Sequence, residues 1–238
     1  MEKHDYTIGV IGGMGSYATV DFFKRLVDAF PAEKEWDRPR IIIDNRCTMP
    51  SRVRAILYKE KVDELVDSLC ESTAYLMKMG ASRIVLVCNT SHYFLKDIVE
   101  RIPAAQDLFI NIIEECANAF AEGETAELIA SEGTIDSGIY RNTLLEHRVK
   151  VIEPGEEKYA LIRSFIEAVK QNEIDQTIMD RFIGYVENSE ADQVILGCTE
   201  LPILYQECLK HGLTVTKKVV DPLQCAIDLL KAEYDRLV

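Results

Sequence analysis

Gly80-Ala-Ser-Arg-Ile-Val-Leu-Val-Cys88-Asn-Thr90 and Glu190-Ala-Asp-Gln-Val-Ile-Leu-Gly-Cys198-Thr-Glu200 are two versions of one pattern, set 110 residues apart. Each runs through apolar β-formers without polar alternation, reaches a cysteine and stops at polar, turn-forming residues. A strand of that kind is buried on both faces, which requires a parallel sheet covered by helices on either side. At the same offset Asn111 closes one strand where Asp221 closes another. Upstream, the strand and glycine turn of Ile8–Gly15 resemble Leu128–Thr134 at an offset near 120.

The remaining strand candidates follow from the same reading: Thr7–Ile11, Arg40–Asp44, Arg83–Cys88, Leu108–Asn111, Ala126–Ser131, Val149–Glu153, Gln193–Gly197 and Val219–Asp221. Between them, Val62, Leu65, Val66, Leu69, Leu76 and Met77 share one helical face, as do Leu161, Ile162, Phe165, Ile166 and Val169. The expected fold is α/β, two pseudo-symmetric Rossmann-like parallel-sheet domains facing a central cleft. Residues 1–105 form the first half, with a C-terminal helix over 222–238 packed back on it, and 106–221 form the second. Open parallel sheets bind ligands beyond their carboxyl ends, so Cys88 and Cys198 are expected on opposite walls of that cleft.

Composition narrows the function. The chain has 238 residues, 47% of them hydrophobic, enough for one large core or two smaller ones. Its apolar runs reach about six residues, too short to span a bilayer, and the N-terminus enters a strand without an apolar leader. A net charge of −13 argues against a nucleic-acid surface and demands a local cationic pocket for any anionic substrate. Seven scattered cysteines without zinc-like spacing read as reduced thiols, with no metal. A soluble, cytoplasmic protein is expected, without nucleic-acid or membrane partners.

Blander readings stand beside each feature. A single cysteine at a strand end is usually a small buried apolar residue; the matched pair, each followed by polar turn residues, is what core filling does not need. Cys47, Cys70, Cys116, Cys208 and Cys225 are read as core, with Cys47 the exception that lies in a loop approaching the site. Gly12-Gly13-Met14-Gly15 follows a strand and precedes a helix. With Ala18, and with Asp44 closing the next strand, it satisfies a loose dinucleotide fingerprint. It can equally hold a carboxylate at a helix N-terminus. His92 reads as a structural residue at a helix start.

Five motifs in order, Ile11-Gly-Gly-Met-Gly15, Met49-Pro-Ser-Arg52, Cys88-Asn-Thr-Ser-His-Tyr93, Glu132-Gly-Thr-Ile135 with Ser137-Gly138, and Gly197-Cys-Thr-Glu-Leu-Pro202, span nearly the whole chain. Together they resemble the aspartate/glutamate racemase superfamily, most closely its aspartate racemase branch. That resemblance implies a homodimer working without pyridoxal phosphate or metal, with Cys88 and Cys198 as proton donor and acceptor. It implies that Arg52 and Lys170 grip the side-chain carboxylate, while Asn89, Thr90, Thr134 and Thr199 hold the α-carboxylate and amine. Met14, Ser91 and Glu200, inside the same motifs, complete the expected substrate-binding set. The chain departs from the branch at Asp44–Arg52 and at Ser16-Tyr17, both beside the pocket, which leaves the side-chain preference open.

Two thiols suit racemisation because one must remove the Cα proton from one face while the other supplies a proton to the opposite face. A free thiol, with a pKa near about 8.5, is closer to neutrality than serine or lysine, and a helix N-terminus can lower it further. Both cannot be anionic at once, because adjacent like charges repel. The expected reaction is interconversion of L- and D-aspartate without cofactor, with glutamate or a broader amino-acid range as the alternative. Two readings of other classes are a nicotinamide-dependent oxidoreductase using the glycine turn and a two-lobed small-anion binding protein.

Overall fold

The computed structural model describes residues 2–237. Strands β1 (Thr7–Gly12), β2 (Arg40–Asn45), β3 (Arg83–Leu86) and β4 (Phe109–Ile110) form one parallel sheet in the order β2-β1-β3-β4. Strands β5 (Thr125–Ile129), β6 (Lys150–Ile152), β7 (Gln193–Leu196) and β8 (Lys218–Val220) repeat that order as β6-β5-β7-β8. The register repeats as well: Ile84 stands opposite Phe109, and Val194 opposite Val219. Ile8 pairs with Arg83 and Ala126 with Gln193, so Ile8 corresponds to Ala126, two residues earlier than the glycine-turn alignment placed it.

Helices cover both faces. The first half carries α1 (Ser16–Ala29), α2 (Arg52–Tyr58), α3 (Val62–Lys78), α4 (Leu95–Arg101) and α5 (Ile112–Ala117). The second carries α6 (Glu132–Ser137), α7 (Ile139–Glu146), α8 (Glu156–Gln171), α9 (Gln176–Glu187), α10 (Leu201–Lys210) and α11 (Pro222–Asp235). Successive strand residues face opposite ways. Ile11, Ile84 and Leu86 pack under Leu65, Leu69 and Leu76 of α3. Val194 and Leu196 pack under Phe165 of α8 and Phe182 of α9. The opposite faces, through Val10, Val85, Leu128 and Ile195, share a third core with α1, α5, α7 and α11. The two halves are therefore joined by one continuous apolar layer.

The last helix lies on the first half. Glu233 of α11 accepts a hydrogen bond from the Tyr6 hydroxyl (2.8 Å) and pairs with Arg83 (2.9 Å), while Asp221 pairs with Arg25 of α1 (2.7 Å). Conversely, Glu114 of α5 meets His147 at the end of α7 (2.6 Å). Asn111 and Asp221, matched at the repeat offset, are both N-caps, accepting from the backbone N–H of Ile113 and Leu223. The first sheet takes its fourth strand from Phe109–Ile110, beyond the boundary expected after residue 105, because β4 must cross to the sheet edge before α5 can begin. Val238, in the expected C-terminal helix, lies outside the described residues.

Candidate active site

Cys88 and Cys198 each stand two residues past the end of the equivalent strands β3 and β7, where the chain leaves the sheet. Both line one cavity of about 110 Å³, together with Met14, Arg52, Asn89, Thr90, Lys170, Thr199 and Glu200. Nine of the eleven residues expected at the site thus meet there. Ser91 and Thr134 do not reach the cavity wall. Ser91 is fully buried and donates to the Met14 sulfur (3.1 Å). Thr134 sits behind Thr90, with hydroxyls 2.7 Å apart, and 3.1 Å from the Ser131 hydroxyl. Ser131, Ser51, Val53 and Ile166 line the cavity without having been expected. Ser131 was legible as the polar end of a strand next to the cysteine strand, and Ile166 as the residue one turn before Lys170 on α8.

The two cysteine environments differ where the repeat breaks. The position of Thr90 in the first half is Glu200 in the second. Glu200 is buried, and its Oε2 accepts hydrogen bonds from the Cys198 thiol (3.0 Å) and the Thr199 hydroxyl (3.2 Å). Its Oε1 lies 3.8 Å from the Lys170 ammonium, which is half exposed. Burial first, then the Glu200 charge and hydrogen bond, push the Cys198 pKa well up, and Lys170 opposes them weakly. Cys198 therefore rests as a thiol, a proton donor. No carboxylate hydrogen-bonds to Cys88 among the described residues.

Donors for a ligand converge on the same space. Ser51 caps α2 by accepting from Arg54 N–H (3.3 Å), which sets Arg52 at the helix start. The Arg52 guanidinium donates to the carbonyls of Met14 (2.9 Å) and Pro50 (3.1 Å). Its Nε is buried without a partner, and it pairs with no carboxylate among the described residues. Asn89 accepts from the buried Tyr140 hydroxyl (2.5 Å), leaving its Nδ2 buried and unpartnered at the cavity wall. Buried donors without acceptors are rare in folded proteins and mark a place for a ligand or water.

The glycine turn is filled by its own chain. Gly13 has φ +82°, and a Cβ there would fall 2.5–2.6 Å from backbone atoms of Arg46 and Cys47. A Cβ on Gly15 would come 3.0 Å from Glu200 Oε1. In a dinucleotide fold the turn's bare backbone admits the pyrophosphate. Here it admits the β2–α2 loop and the active-site carboxylate, which removes the structural basis of the nicotinamide reading. Cys47, on that loop, is exposed and contacts Ser16 (3.1 Å) outside the cavity.

His92 is a brace. Its ring is buried, Nδ1 donates to the Cys88 carbonyl (2.9 Å) and Nε2 accepts from Ile112 N–H (3.4 Å), the tautomer following from those partners. Burial lowers its pKa from 6.5 to about 4. Between those values the unfolded chain binds a proton that the folded one refuses, so stability should fall as pH drops from 6.5 towards 4. The loss is of order 3 kcal/mol. Urea denaturation at pH 7 and pH 4.5 should show a smaller pH dependence in His92→Gln than in the parent; an equal dependence would assign the loss to other groups.

Residues 11–230 match the family model for Asp/Glu/Hydantoin racemase. Among solved structures, the fold is similar to the aspartate racemase of Picrophilus torridus, with TM-score 0.78, 26% identity, and coverage of 98% of this chain and 96% of that one. It is similar in fold to the glutamate racemase of Francisella tularensis, with TM-score 0.66, 20% identity, and coverage of 96% and 80%. In sequence it is 28% identical over 153 residues to the broad-specificity amino-acid racemase RacX of Bacillus subtilis. That match spans 61% of this chain and 63% of the relative, less than two thirds of its length. No helix among the described residues is long and apolar enough to cross a membrane. With the match running from the first glycine turn into the last helix and taking in both cysteine strands, the chain belongs to the Asp/Glu/hydantoin racemase family.

Proposed function

We propose that the protein interconverts the enantiomers of an acidic amino acid, aspartate first, using Cys88 and Cys198 as the two acid/base groups. The observation that carries this reading is the placement of the two thiols in one cavity with Arg52 and Lys170. Arg52 and Lys170 take the side-chain carboxylate. Asn89 Nδ2 and the hydroxyls of Thr90, Thr199 and Ser131 take the α-carboxylate, where negative charge gathers once the Cα proton leaves. The Cys88 thiolate removes that proton, and the Cys198 thiol returns another to the opposite face. Cys88 is then a thiol and Cys198 a thiolate, set to run the reaction in reverse. Glu200 holds the Cys198 proton in place before transfer, and Lys170 offsets the charge that remains afterwards. The proposal includes cytoplasmic work as a homodimer without cofactor or metal.

A second reading, a longer side chain, is favoured by one feature. The cavity adjoins a mainly apolar hollow of about 140 Å³ that shares Val53, Ser131, Ile166 and Lys170 with it and continues past Ile162 and Tyr159. Proton NMR in D2O decides between the readings. Each enantiomer of aspartate, glutamate, alanine and leucine is incubated with enzyme, and loss of the Cα proton is followed beside chiral analysis. Aspartate should exchange and invert fastest. Leucine ahead of aspartate would transfer the proposal to the apolar hollow, and alanine ahead of aspartate would overturn the preference for an acidic side chain without supporting the hollow. No exchange with any of them would sink the racemase reading itself.

A further inference from the structure

The second half holds a buried carboxylate that the reaction does not use. Glu127, in the middle of the central strand β5, is 3% exposed, and its Oε1 is buried without a hydrogen-bond partner. Gly9 pairs with Ile84 and Glu127 with Val194, so the repeat puts glycine where this glutamate sits. In the first half that position is closed by apolar packing: a Cβ on Gly9 would meet Ala81 at 3.0 Å and Leu76 at 3.1 Å. A glutamate in the same place carries a large desolvation cost that packing does not require.

Glu127 lies at the floor of a groove that is open to solvent. A cavity of about 310 Å³ lies between α8 and α9, walled by Glu127, Leu161, Gly184 and Tyr185, with Lys158, Arg181 and Asn188 also lining it. A Cβ on Gly184 would meet nothing within 4 Å. Half-exposed Lys158 forms an ion pair with Glu127 Oε1 at 3.6 Å, beyond hydrogen-bond reach, and its ammonium stands 5.2 Å from the Tyr185 ring centroid. Burial first, then the charge and close approach of Glu127, raise the pKa of the Tyr185 hydroxyl, which has no hydrogen bond of normal geometry. Arg181 is exposed and has no ion pair among the described residues.

From this arrangement we infer that the hollow between α8 and α9 is a second ligand site, taking a small zwitterion such as a free amino acid. Its ammonium group donates to Glu127 Oε1 and the Tyr185 oxygen, and its carboxylate meets Lys158 and Arg181. The acceptor is buried, Lys158 reaches it from the rim of the groove and exposed Arg181 lies further out. A ligand ammonium can therefore share Glu127 with Lys158 while its carboxylate faces the two cations. A simple amine or a simple carboxylate satisfies only half of the site. This inference does not depend on the racemase reading, because none of these residues lines the cysteine cavity.

The test is amide NMR of the 15N-labelled full chain, titrated with L-alanine, ethylamine and propionate. L-Alanine should shift the amides of Glu127, Gly184 and Tyr185 saturably, and each half-probe should bind about tenfold more weakly or worse, having lost one charge-assisted contact. Glu127→Gln should lose these shifts, while Arg52→Ala, altered only in the cysteine cavity, should keep them. Because Glu127→Gln alters a core strand, Gly184→Leu provides a second arm: it fills the hollow from the helix side and should also abolish the shifts. Shifts confined to Cys88–Thr90 and Cys198–Glu200 would overturn the inference. So would equal binding of ethylamine, or L-alanine shifts at Tyr185 that survive Gly184→Leu.

Discussion

Cys88→Ala and Cys198→Ala should each lower aspartate racemisation by about 10²–10⁴-fold or more, the usual contribution of a positioned acid or base. The more telling result is what survives. A variant with one thiol left can still take the Cα proton from the enantiomer that faces it and give back a solvent-derived one to the same face. Cys198→Ala should therefore keep Cα–H exchange in D2O for one enantiomer only. Cys88→Ala, left with the thiol that burial and Glu200 keep protonated, should exchange only the opposite enantiomer and more slowly, with inversion lost in both. Exchange of both enantiomers in either variant would remove that thiol from the mechanism. Labelling offers an independent readout. Iodoacetamide attacks thiolates, so Cys198, kept protonated by burial and Glu200, should be slow in the free enzyme. Glu200→Gln should speed it. Exposed Cys47 should react whether or not aspartate is present, and Cys88 should be protected by aspartate.

Much of this site was legible because the chain repeats. A buried parallel strand advertises itself as an unbroken apolar run, and its carboxyl end is where ligands bind, so the position of Cys88 and Cys198 followed from periodicity alone. All eight strands were legible for the same reason, with ends displaced by a residue or two in either direction: β3 and β7 leave the sheet before their apolar runs stop, whereas β1 and β2 pair one residue beyond theirs. The contributions of Ser91 and Thr134 were not separable from those of their neighbours. Adjacent hydroxyls in a tight turn point in different directions, and which one faces the cavity is decided by φ and ψ, not by residue type. Ser131 took the place expected for Thr134 because it precedes α6, whereas Thr134 lies inside its first turn. The glycine turn was ambiguous in sequence because bare backbone serves any close neighbour, and only the packed structure shows that the neighbour is the β2–α2 loop.

The asymmetry between the halves bears on substrate charge, and Arg52 is where it should be felt most. With a net charge of −13, the protein repels an anion at long range. The cleft must overcome that with cations not already committed to carboxylates. Lys170 is partly committed, 3.8 Å from Glu200 and half in solvent, where screening weakens it. Arg52 is partly buried, held by two carbonyls, and has no carboxylate partner among the described residues. Arg52→Ala should therefore lower kcat/KM for aspartate by roughly 30- to 1,000-fold, about 2–4 kcal/mol of lost charge-assisted pairing. Alanine, which has no side-chain carboxylate, should lose far less. Arg52→Lys should recover only part of the loss, since an ammonium cannot reproduce the planar two-point contact. Lys170→Ala should act differently. Its withdrawal removes a half-exposed partner of the side-chain carboxylate and leaves the Cys198 thiol facing Glu200 without a counter-charge. Aspartate should therefore lose more than alanine, though more gently than in Arg52→Ala, with part of the loss falling on kcat for both. Equal losses on both substrates in Arg52→Ala would make Arg52 a structural clamp on Met14 and Pro50, and would leave the choice of substrate to the apolar hollow beside it.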